Sequence, residues 1–336
     1  MKVKIKDIAE YCHVSEGTVD RALHNRFGIR EETRQKIIAA AEELGYTPDH
    51  IARSLATGLS MTIGVVCFDL RNNFFPELID TIEMRAKEKG YFIHLVLTHK
   101  DFKNEEEGLR FLLSRNVDGI ILFPIGVGKE YVSRLKKLDI PVITIYNKIS
   151  NDFTLLGVDD VDAMRDAVTY IYDKGYEQIL YVTPSIHWQE KDGRNVYILK
   201  QRMKGFKKGV EAVGASYGEV FQEGLGPAEI DKMVSRIRSH EKTAILCECD
   251  SYALQVMECL EKKGLTTPND YGLMGYDNLE MLEYIHPRLT TIKYSVAKMG
   301  NLAFDCLYDE IQGDSEKKTH LLPYEIVEGE TIRDQK

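Results

Sequence analysis

The sequence predicts a small all-α head with a helix-turn-helix, followed by a larger α/β domain built on two mostly parallel sheets. The amino-terminal segment carries short apolar stripes at helical spacing, whereas from Ile63 onward short apolar runs alternate with amphipathic helical stretches. Strands that alternate with helices are typical of a parallel sheet covered by helices on both faces. At 336 residues the chain is long enough for more than one domain.

Two short helices separated by a break open the chain. The apolar positions that repeat at helical spacing are Ile5, Ile8, Ala9, Cys12, Val19, Ala22 and Leu23. Ser15 is predicted to cap the second helix, because its hydroxyl can accept a hydrogen bond from a free backbone N–H. The outer face of that helix is then able to reach base edges in a DNA major groove. A helix pair of this kind also occurs as an ordinary packing element.

A third helix and a short fourth segment follow. Residues 33–44 carry an apolar stripe at helical spacing, and Gly45 provides the C-terminal stop. Residues 49–56 have helical spacing too, but they are too few to form a stable helix alone. One interpretation is a hinge helix that orders on binding and inserts Leu55 into the minor groove, and the other is a linker turn.

Short motifs in a fixed order run through this segment. They are Asp7-Ile8-Ala9, Val14-Ser15, Thr18-Val19, Arg21, Thr33-Arg34, Leu44-Gly45-Tyr46, Pro48 and Ala52-Arg53-Ser54-Leu55-Ala56. Together they resemble the head and hinge of the LacI/GalR family of bacterial transcription regulators. The similarity continues through nearly the whole chain, in Ile63–Val65, Asn72–Phe75, Val117–Leu122, Ile140–Val142, Gly272–Asp277 and Leu289–Lys293.

The resemblance implies a helix-turn-helix head over residues 1–58 with a hinge helix at 49–56, then an effector-binding and dimerisation domain over 60–336. That domain is expected to have a periplasmic-binding-protein-like (type I) α/β fold, with two parallel-sheet lobes that close on a small molecule. The expected lobes are about 62–158 plus 293–324, and 159–291 plus 325–336.

The resemblance also implies a function, that of a sequence-specific DNA-binding transcription regulator. It is expected to be a repressor, and a small-molecule effector, a sugar or sugar derivative, is expected to control its affinity for operator DNA. Two chains are expected to pair as a homodimer on a near-palindromic operator. The candidate DNA contacts are Lys4, Ser15, Glu16, Gly17, Thr18, Arg21, His24, Asn25, Ala52, Arg53 and Leu55. Among them, Arg21 is the foremost candidate for a base contact.

The formal net charge of −9 is not the basic footprint expected of a DNA-binding protein. Acidic and basic residues balance within residues 1–58, so phosphate contacts must come from local clusters that include Lys2, Arg26 and Arg30. We therefore expect modest operator affinity that weakens as the salt concentration rises.

The loops that follow the strands hold the candidate effector contacts, because ligands of parallel α/β sheets bind beyond the carboxyl ends of the strands. These residues are Asp69, Asn73, Phe74, Phe75, Pro124, Asn147, Asp159, Trp188, Arg202, Asp250 and Asp277. The resemblance assigns Arg202, in an R-x-x-G-F pattern, and Asp277 to the cleft. A guanidinium group is well suited to vicinal hydroxyls or to a carboxylate.

Alternatives stay open for several of these residues. Phe74 and Phe75 either stack on an effector ring or pack in the core. Asp250 either contacts the effector or caps the following helix, and Trp188 either covers the cleft mouth or packs on the surface. Two departures from the family bear on the site. Tyr146 stands where an aspartate is frequent in the family, so that its polar contact is expected either to move to Asn147 or to be lost. Cys249 stands where an asparagine is usual, which removes one hydroxyl-binding amide.

Other classes of protein are disfavoured. The residues 126–130 lack the glycine and the Ser/Thr of a phosphate-binding loop, and the nine histidines show no catalytic motif. We expect no enzymatic activity, no cofactor and no metal; the six cysteines lack zinc-finger spacing and read as reduced thiols. No apolar run reaches the length of a membrane span, and no signal peptide is evident, so a cytoplasmic protein is expected. A solute-binding receptor of the periplasmic sugar-binding type is the alternative function, against which the head and the missing signal peptide argue.

Overall fold

A computed structural model describes residues 3–23, 26–46, 58–221, 226–239, 242–314 and 316–335 of the chain. The chain divides into two compact units, residues 1–60 and 61–336. Several predicted contacts lie outside the described residues: Lys2, His24, Asn25, and the segment 49–56 with Ala52, Arg53 and Leu55. Within the described ranges, no helix has the length and apolarity needed to cross a membrane.

The first unit contains the three predicted helices, α1 (Ile5–Cys12), α2 (Glu16–Leu23) and α3 (Glu31–Glu43). Their apolar stripes meet in one small core, in which the side chains of Ile8, Val19 and Ile37 are almost wholly buried. The left-handed conformation of Gly45 follows the end of α3, as its predicted role as a helix stop requires. Each helix is short, so its stability depends on this shared core rather than on helix propensity.

The second unit alternates strands and helices. Its first half contains β1 (Thr62–Cys67), α4 (Phe74–Glu88), β2 (Phe92–Leu97), α5 (Phe102–Ser114), β3 (Ile120–Leu122), α6 (Gly128–Lys136), β4 (Val142–Ile145), β5 (Thr154–Val158) and α7 (Asp160–Asp173). Its second half contains β6 (Gln178–Thr183), α8 (Ile186–Lys191), α9 (Tyr197–Val213), β7 (Ser216–Phe221), α10 (Pro227–Ser239), β8 (Thr243–Cys247), α11 (Asp250–Glu261), β9 (Gly272–Asp277), a 3-10 helix (Glu280–Tyr284), β10 (Thr290–Tyr294), α12 (Val296–Ile311), β11 (Thr319–Leu322) and β12 (Tyr324–Val327).

These strands form two six-stranded sheets. The first has the order β11-β5-β4-β3-β1-β2 and every neighbouring pair in it is parallel. The second has the order β12-β10-β9-β8-β6-β7, and it is parallel except for β12, which runs antiparallel to β10. The predicted parallel α/β fold with two sheets is therefore confirmed. Because the chain passes from one sheet to the other after β5, after β10 and between β11 and β12, the two sheets are joined by several crossings.

The alternation of apolar runs and helical stretches predicts seven strands, at residues 63–68, 92–97, 119–123, 142–145, 179–182, 244–247 and 272–275, and all seven are present. The strands β5, β7, β10, β11 and β12 were not predicted, and neither were the helices α8 and α12. The strands β11 and β12 are four residues long and half-buried at most, so they carry little of the apolar pattern by which a strand is recognised. The helix α8 has six residues and no buried side chain, and it forms where the hydroxyl of Ser185 accepts a hydrogen bond from the backbone N–H of Trp188 at 3.3 Å.

Candidate functional site

In the first unit, Ser15 caps α2 as predicted. The backbone N–H of Thr18 donates to the Ser15 hydroxyl at 3.2 Å, and the two hydroxyl groups lie 2.8 Å apart. This cap fixes the start of α2, and the candidate contacts Glu16, Gly17 and Arg21 are exposed on the helix while Thr18 is half-buried. The exposed face has the form that a helix needs to enter a major groove.

The charges near this face are partly paired with one another. Arg26 lies 3.3 Å from the Asp20 carboxylate, whereas at Lys4 the group that donates to Asp7, at 2.7 Å, is the backbone N–H and not the ammonium group. The exposed side chain of Arg21 makes no ion pair with any residue that the structure describes. Arg21 is therefore available for a guanine edge or a phosphate, whereas Arg26 would have to leave Asp20 first.

In the second unit, a cavity of about 210 Å³ lies where the carboxyl ends of both sheets meet. Its walls come from the loops after β1, β2, β3, β4, β6 and β8 and from the start of α9. Four of the candidate effector contacts line it, namely Asp69, Phe75, Pro124 and Asn147. The other lining residues are Phe68, Asn72, Lys100, Ile125, Pro184, Gln189, Arg194, Asn195, Ile198, Leu199, Glu248, Cys249 and Tyr252.

The remaining seven candidates are not among the lining residues of this cavity. They are Asn73, Phe74, Asp159, Trp188, Arg202, Asp250 and Asp277. Phe74 is buried in an aromatic cluster, with its ring centroid 5.2 Å from that of Phe75 and 5.3 Å from that of Tyr146. Its position agrees with the core alternative, while Phe75 packs in the same cluster and also reaches the cavity wall. Asn73 immediately precedes α4 and is exposed.

The acidic candidates have partners within the protein; Asp277, for example, is buried and accepts the hydroxyl of Tyr294 at 2.9 Å. Asp159 caps α7, because its carboxylate accepts the backbone N–H of Asp162 at 3.2 Å. Asp250 is buried and accepts the backbone N–H of Leu279 at 2.9 Å and the hydroxyl of Thr291 at 2.6 Å. It thereby ties the start of α11 to the turn after β9 and to β10. Asp250 is the first residue of α11, and the capping position proposed for it is occupied by Cys249.

Trp188 is about half exposed on α8, with the guanidinium of Arg194 5.4 Å from the centre of its ring. The neighbouring residue Gln189 lines the cavity, so the indole lies beside the cavity without facing into it. The chain has only this tryptophan, which makes its fluorescence a local probe of the region.

Arg202 is the centre of a buried network beneath the cavity. Its Nε donates to Asp160 at 2.8 Å, its Nη1 donates to the backbone oxygen of Glu248 at 2.6 Å, and Nη1 is 3.3 Å from the Glu248 carboxylate. The guanidinium also lies 3.7 Å from the centre of the Tyr276 ring. The hydroxyl of Tyr276 donates to Asp160 at 2.9 Å, which closes the network. The guanidinium that the resemblance assigned to an effector is therefore already bound within the protein.

The carboxyl groups around this arginine are more numerous than the positive charges. Burial raises the pKa of Glu248 to about 7 and that of Asp277 to about 6, although Arg202 lowers both. Burial also raises the pKa of Asp250 to about 8, with the nearby Asp277 as the second cause. One cation thus neutralises only part of a buried acidic cluster, and protons take up part of the remainder near neutral pH.

A second buried carboxylate, Glu105 of α5, holds one wall of the cavity in place. It accepts the backbone N–H of Ile125 at 2.7 Å and the hydroxyl of Tyr131 at 2.8 Å. Burial raises the pKa of Glu105 to about 7, with a small further rise from Glu106, although these hydrogen bonds lower it. Glu105 therefore fixes the loop after β3, which contributes Pro124 and Ile125 to the cavity.

Replacement of Glu105 by glutamine is expected to flatten the pH dependence of stability. The unfolded chain loses this proton near pH 4.5 and the folded chain keeps it to about pH 7, so the glutamate stabilises the fold less as pH rises through this window. Since each pKa unit corresponds to about 1.36 kcal/mol, the difference in unfolding free energy between wild type and Glu105→Gln should change by about 2–3 kcal/mol from pH 5 to pH 7.5. Urea unfolding at both pH values measures it. The exposed neighbour Glu107→Gln is the matched control, and parallel pH profiles for wild type and Glu105→Gln would contradict the assignment.

Sequence reasoning missed most of the cavity wall. Asn195 and Ile198 lie at the start of α9, where no motif marks them. Lys100 lies in the loop after β2 and Tyr252 in the first turn of α11, and their contacts with the cavity depend on the packing of both sheets. The signal that was available is position: nearly all of these residues lie within a few positions of a strand's carboxyl end or a helix start. Such a rule finds the right loops but does not select residues within them.

Comparison with known proteins agrees with both units. Residues 4–49 match the family described as bacterial regulatory proteins, lacI family, and residues 168–332 match the periplasmic binding protein-like domain. The chain is 30% identical to the HTH-type transcriptional repressor PurR of Vibrio vulnificus, over 98% of each chain. It is also 30% identical to the HTH-type transcriptional regulator RegA of Clostridium acetobutylicum, over 99% of this chain and all of the relative.

Two solved structures agree in fold. The Lac repressor dimer bound to operator and the anti-inducer ONPF matches with a TM-score of 0.82 at 23% identity, over 99% of this chain and all of that one. A periplasmic binding protein/LacI transcriptional regulator from Alkaliphilus metalliredigens, complexed with D-xylulofuranose, matches with a TM-score of 0.70 at 26% identity, over 81% of this chain and 99% of that one. With a relative 30% identical over nearly its full length, the chain belongs to the LacI family of bacterial transcription regulators.

Proposed function

We propose that this regulator binds operator DNA through its first unit and that a small effector in the cavity of its second unit sets the DNA affinity. The observation that carries the proposal is the presence, in one chain, of a capped helix with an exposed Arg21 and of a small cavity between two sheets. The first has the form of a DNA-reading element, and the second lies where α/β sheets bind ligands. Coupling of two such sites is what an allosteric regulator requires.

A sugar or sugar derivative fits the cavity in size and chemistry. The volume of about 210 Å³ is below the roughly 300–1,000 Å³ of clefts that hold drug-sized ligands, which favours a monosaccharide-sized molecule. Phe75 and Tyr252 supply aromatic surface for an apolar sugar face, and the side chains of Asn72, Gln189 and Asp69 supply hydrogen-bonding groups for hydroxyls. The related Alkaliphilus protein was solved with D-xylulofuranose, and a LacI family regulator from Enterococcus faecium, 25% identical, was solved with ribose.

A homodimer is proposed for the working form. Phe92 is 59% exposed and Leu95 39% exposed on β2, an edge strand of the first sheet, and Met84 of α4 and Phe111 of α5 are exposed as well. Exposed apolar side chains on neighbouring elements are typical of a protein interface. Pairing through this surface would carry two heads to two operator half-sites, which the solved Lac repressor dimer on its operator illustrates. Repression is the proposed outcome, exerted in the cytoplasm where the DNA lies.

A solute-binding receptor is the second candidate, and the cavity alone would favour it. A solute-binding receptor does not require a DNA-binding domain, however, and the full-length similarity to transcription regulators includes such a domain at residues 4–49. Turnover of a sugar is not proposed, because the groups that line the cavity form no recognisable nucleophile and base pair.

Two experiments together test the proposal: selection of genomic DNA fragments that the protein binds, and titration of the protein with candidate ligands. The purified full chain should enrich specific fragments from its own genome, with an affinity that falls as salt rises. A panel of pentoses, hexoses and sugar acids is then titrated while the emission of Trp188 is recorded. At least one compound should change that emission and alter the affinity for the selected DNA by about fivefold or more. A compound that saturates the Trp188 signal and leaves DNA binding unchanged would support the receptor instead, and failure to enrich any DNA would refute the reading head.

A further inference from the structure

Beside the cavity, two buried asparagines form hydrogen bonds between structural elements of the two sheets. Asn147 follows β4 of the first sheet and is 5% exposed, whereas Asn195 precedes α9 and is 8% exposed. Helix α9 belongs to the second-sheet side, because its Phe206 stacks on Tyr181 of β6 with ring centroids 4.8 Å apart. The two asparagines thus lie on opposite sides of the cleft.

Three hydrogen bonds made by this pair cross from one side to the other. The backbone N–H of Asn195 donates to the backbone oxygen of Ile125 at 2.6 Å, and its Nδ2 donates to the backbone oxygen of Lys148 at 3.3 Å. In return, the backbone N–H of Ile198 donates to Oδ1 of Asn147 at 3.3 Å. Main-chain and side-chain groups from both sides are therefore joined at one edge of the cavity.

Each asparagine is also anchored on its own side. Oδ1 of Asn195 accepts the backbone N–H of Tyr197 at 3.0 Å, and Nδ2 of Asn147 donates to the backbone oxygen of Pro124 at 3.3 Å. Behind the first-sheet loop, Glu105 holds the N–H of Ile125. Both halves of the contact are consequently preorganised, and the cross-cleft bonds are the part that separates when the sheets move apart.

We propose that Asn147 and Asn195 form a latch that holds the two sheets closed over the effector cavity. The latch residues themselves line the cavity, together with Ile125 and Ile198, so that a bound molecule touches the groups that close it. Two of the three bonds are as long as 3.3 Å, which suits a contact that opens to admit a ligand and reforms around it. The inference rests on the proposed function in one respect only, that the molecule held in the cavity is the effector.

Hydrogen exchange of the full chain without ligand or DNA tests the latch. Asn195→Asp keeps the Oδ1 acceptor for Tyr197 but removes the Nδ2 donor to Lys148, and Asn147→Ala removes the acceptor for Ile198. Loss of one such bond should shift the open population about threefold to tenfold. The decisive readout is the pair of backbone amides whose acceptors lie across the cleft: Asn147→Ala should accelerate exchange at Asn195, and Asn195→Asp should accelerate exchange at Ile198, by that factor.

The control is Asn151→Ala, which changes an exposed asparagine in the same loop region as Asn147 and should leave all of these rates unchanged. Wild-type exchange rates at Asn195 in Asn147→Ala and at Ile198 in Asn195→Asp would overturn the latch, because the bonds across the cleft would then open independently of the two asparagine side chains. Use of variants on both sides keeps the test informative even where one of them folds poorly. Since neither ligand nor DNA is present, a negative result here is distinct from a failure of the regulator to bind DNA or sugar.

Discussion

Replacing Arg202 by methionine is expected to lower the free energy of unfolding of the second unit by about 3–5 kcal/mol, because the buried carboxylates are then left without a cationic partner. The guanidinium binds Asp160 and Glu248 directly and lowers the pKa of Asp277 as well as that of Glu248. Methionine fills much of the volume, so that the loss reports charge rather than a cavity. Urea unfolding at pH 7.5, followed by circular dichroism, measures the change.

The size of this loss should depend on pH. Without Arg202 the pKa values of Glu248 and Asp277 rise further above those of the unfolded chain, so the variant loses stability as pH rises and recovers it at pH 5.5, where the carboxyl groups accept protons. Lys204→Met is the matched control, since Lys204 is exposed on the same helix and its replacement should cost no more than about 0.5 kcal/mol. If Arg202→Met lowers the free energy of unfolding by less than about 1 kcal/mol at pH 7.5, Arg202 is not the residue that stabilises this buried network.

Replacing Ile37 by alanine is expected to abolish operator binding while leaving the second unit intact. Truncation of a buried isoleucine costs about 2–5 kcal/mol, and a unit of this size with a small core has little stability in reserve. Ile37 is buried against the core that also contains Ile8 and Val19, so its loss affects the packing of all three helices. Once α2 is no longer held, the face of this helix that we propose contacts DNA bases is lost as well.

Two measurements on the full chain check this result. The affinity for a selected genomic fragment should fall to the level of non-specific DNA, and the urea midpoint of the second unit should stay at the wild-type value. Glu42→Gln, an exposed change on the same helix, should preserve operator binding. Wild-type affinity in Ile37→Ala would mean that the three-helix core does not support the DNA contact.

The helices of the head, the cap at Ser15 and the seven strands of the alternation were predicted correctly, because each depends on residues within one turn or one strand. The strands β11 and β12 were missed, since short edge strands are half-solvated and lack a continuous apolar run. Secondary structure could therefore be predicted wherever burial of one face gives the apolar residues a strong periodicity along the sequence.

The contacts of the candidate site, by contrast, could not be predicted from the sequence. Arg202 was expected in the cleft, yet Asp160 and Glu248, from segments far apart in the chain, engage its guanidinium beneath the cavity. Asn195, which no motif marks, lines the cavity and bonds across the cleft. Neither outcome follows from spacing along the chain, because both depend on how the two sheets pack against each other.

The amino-acid sequence by itself determined the family, the two kinds of unit, the helix cap at Ser15 and the loops that surround the cavity, since these rest on short-range periodicity and on ordered motifs. Only the tertiary structure decided which loop residues face the cavity, which acids are buried around Arg202 and which asparagines join the two sheets. The physical reason is that hydrogen bonds and desolvation act between atoms close in space, and residues such as Asn147 and Ile198 come together only when both sheets have folded.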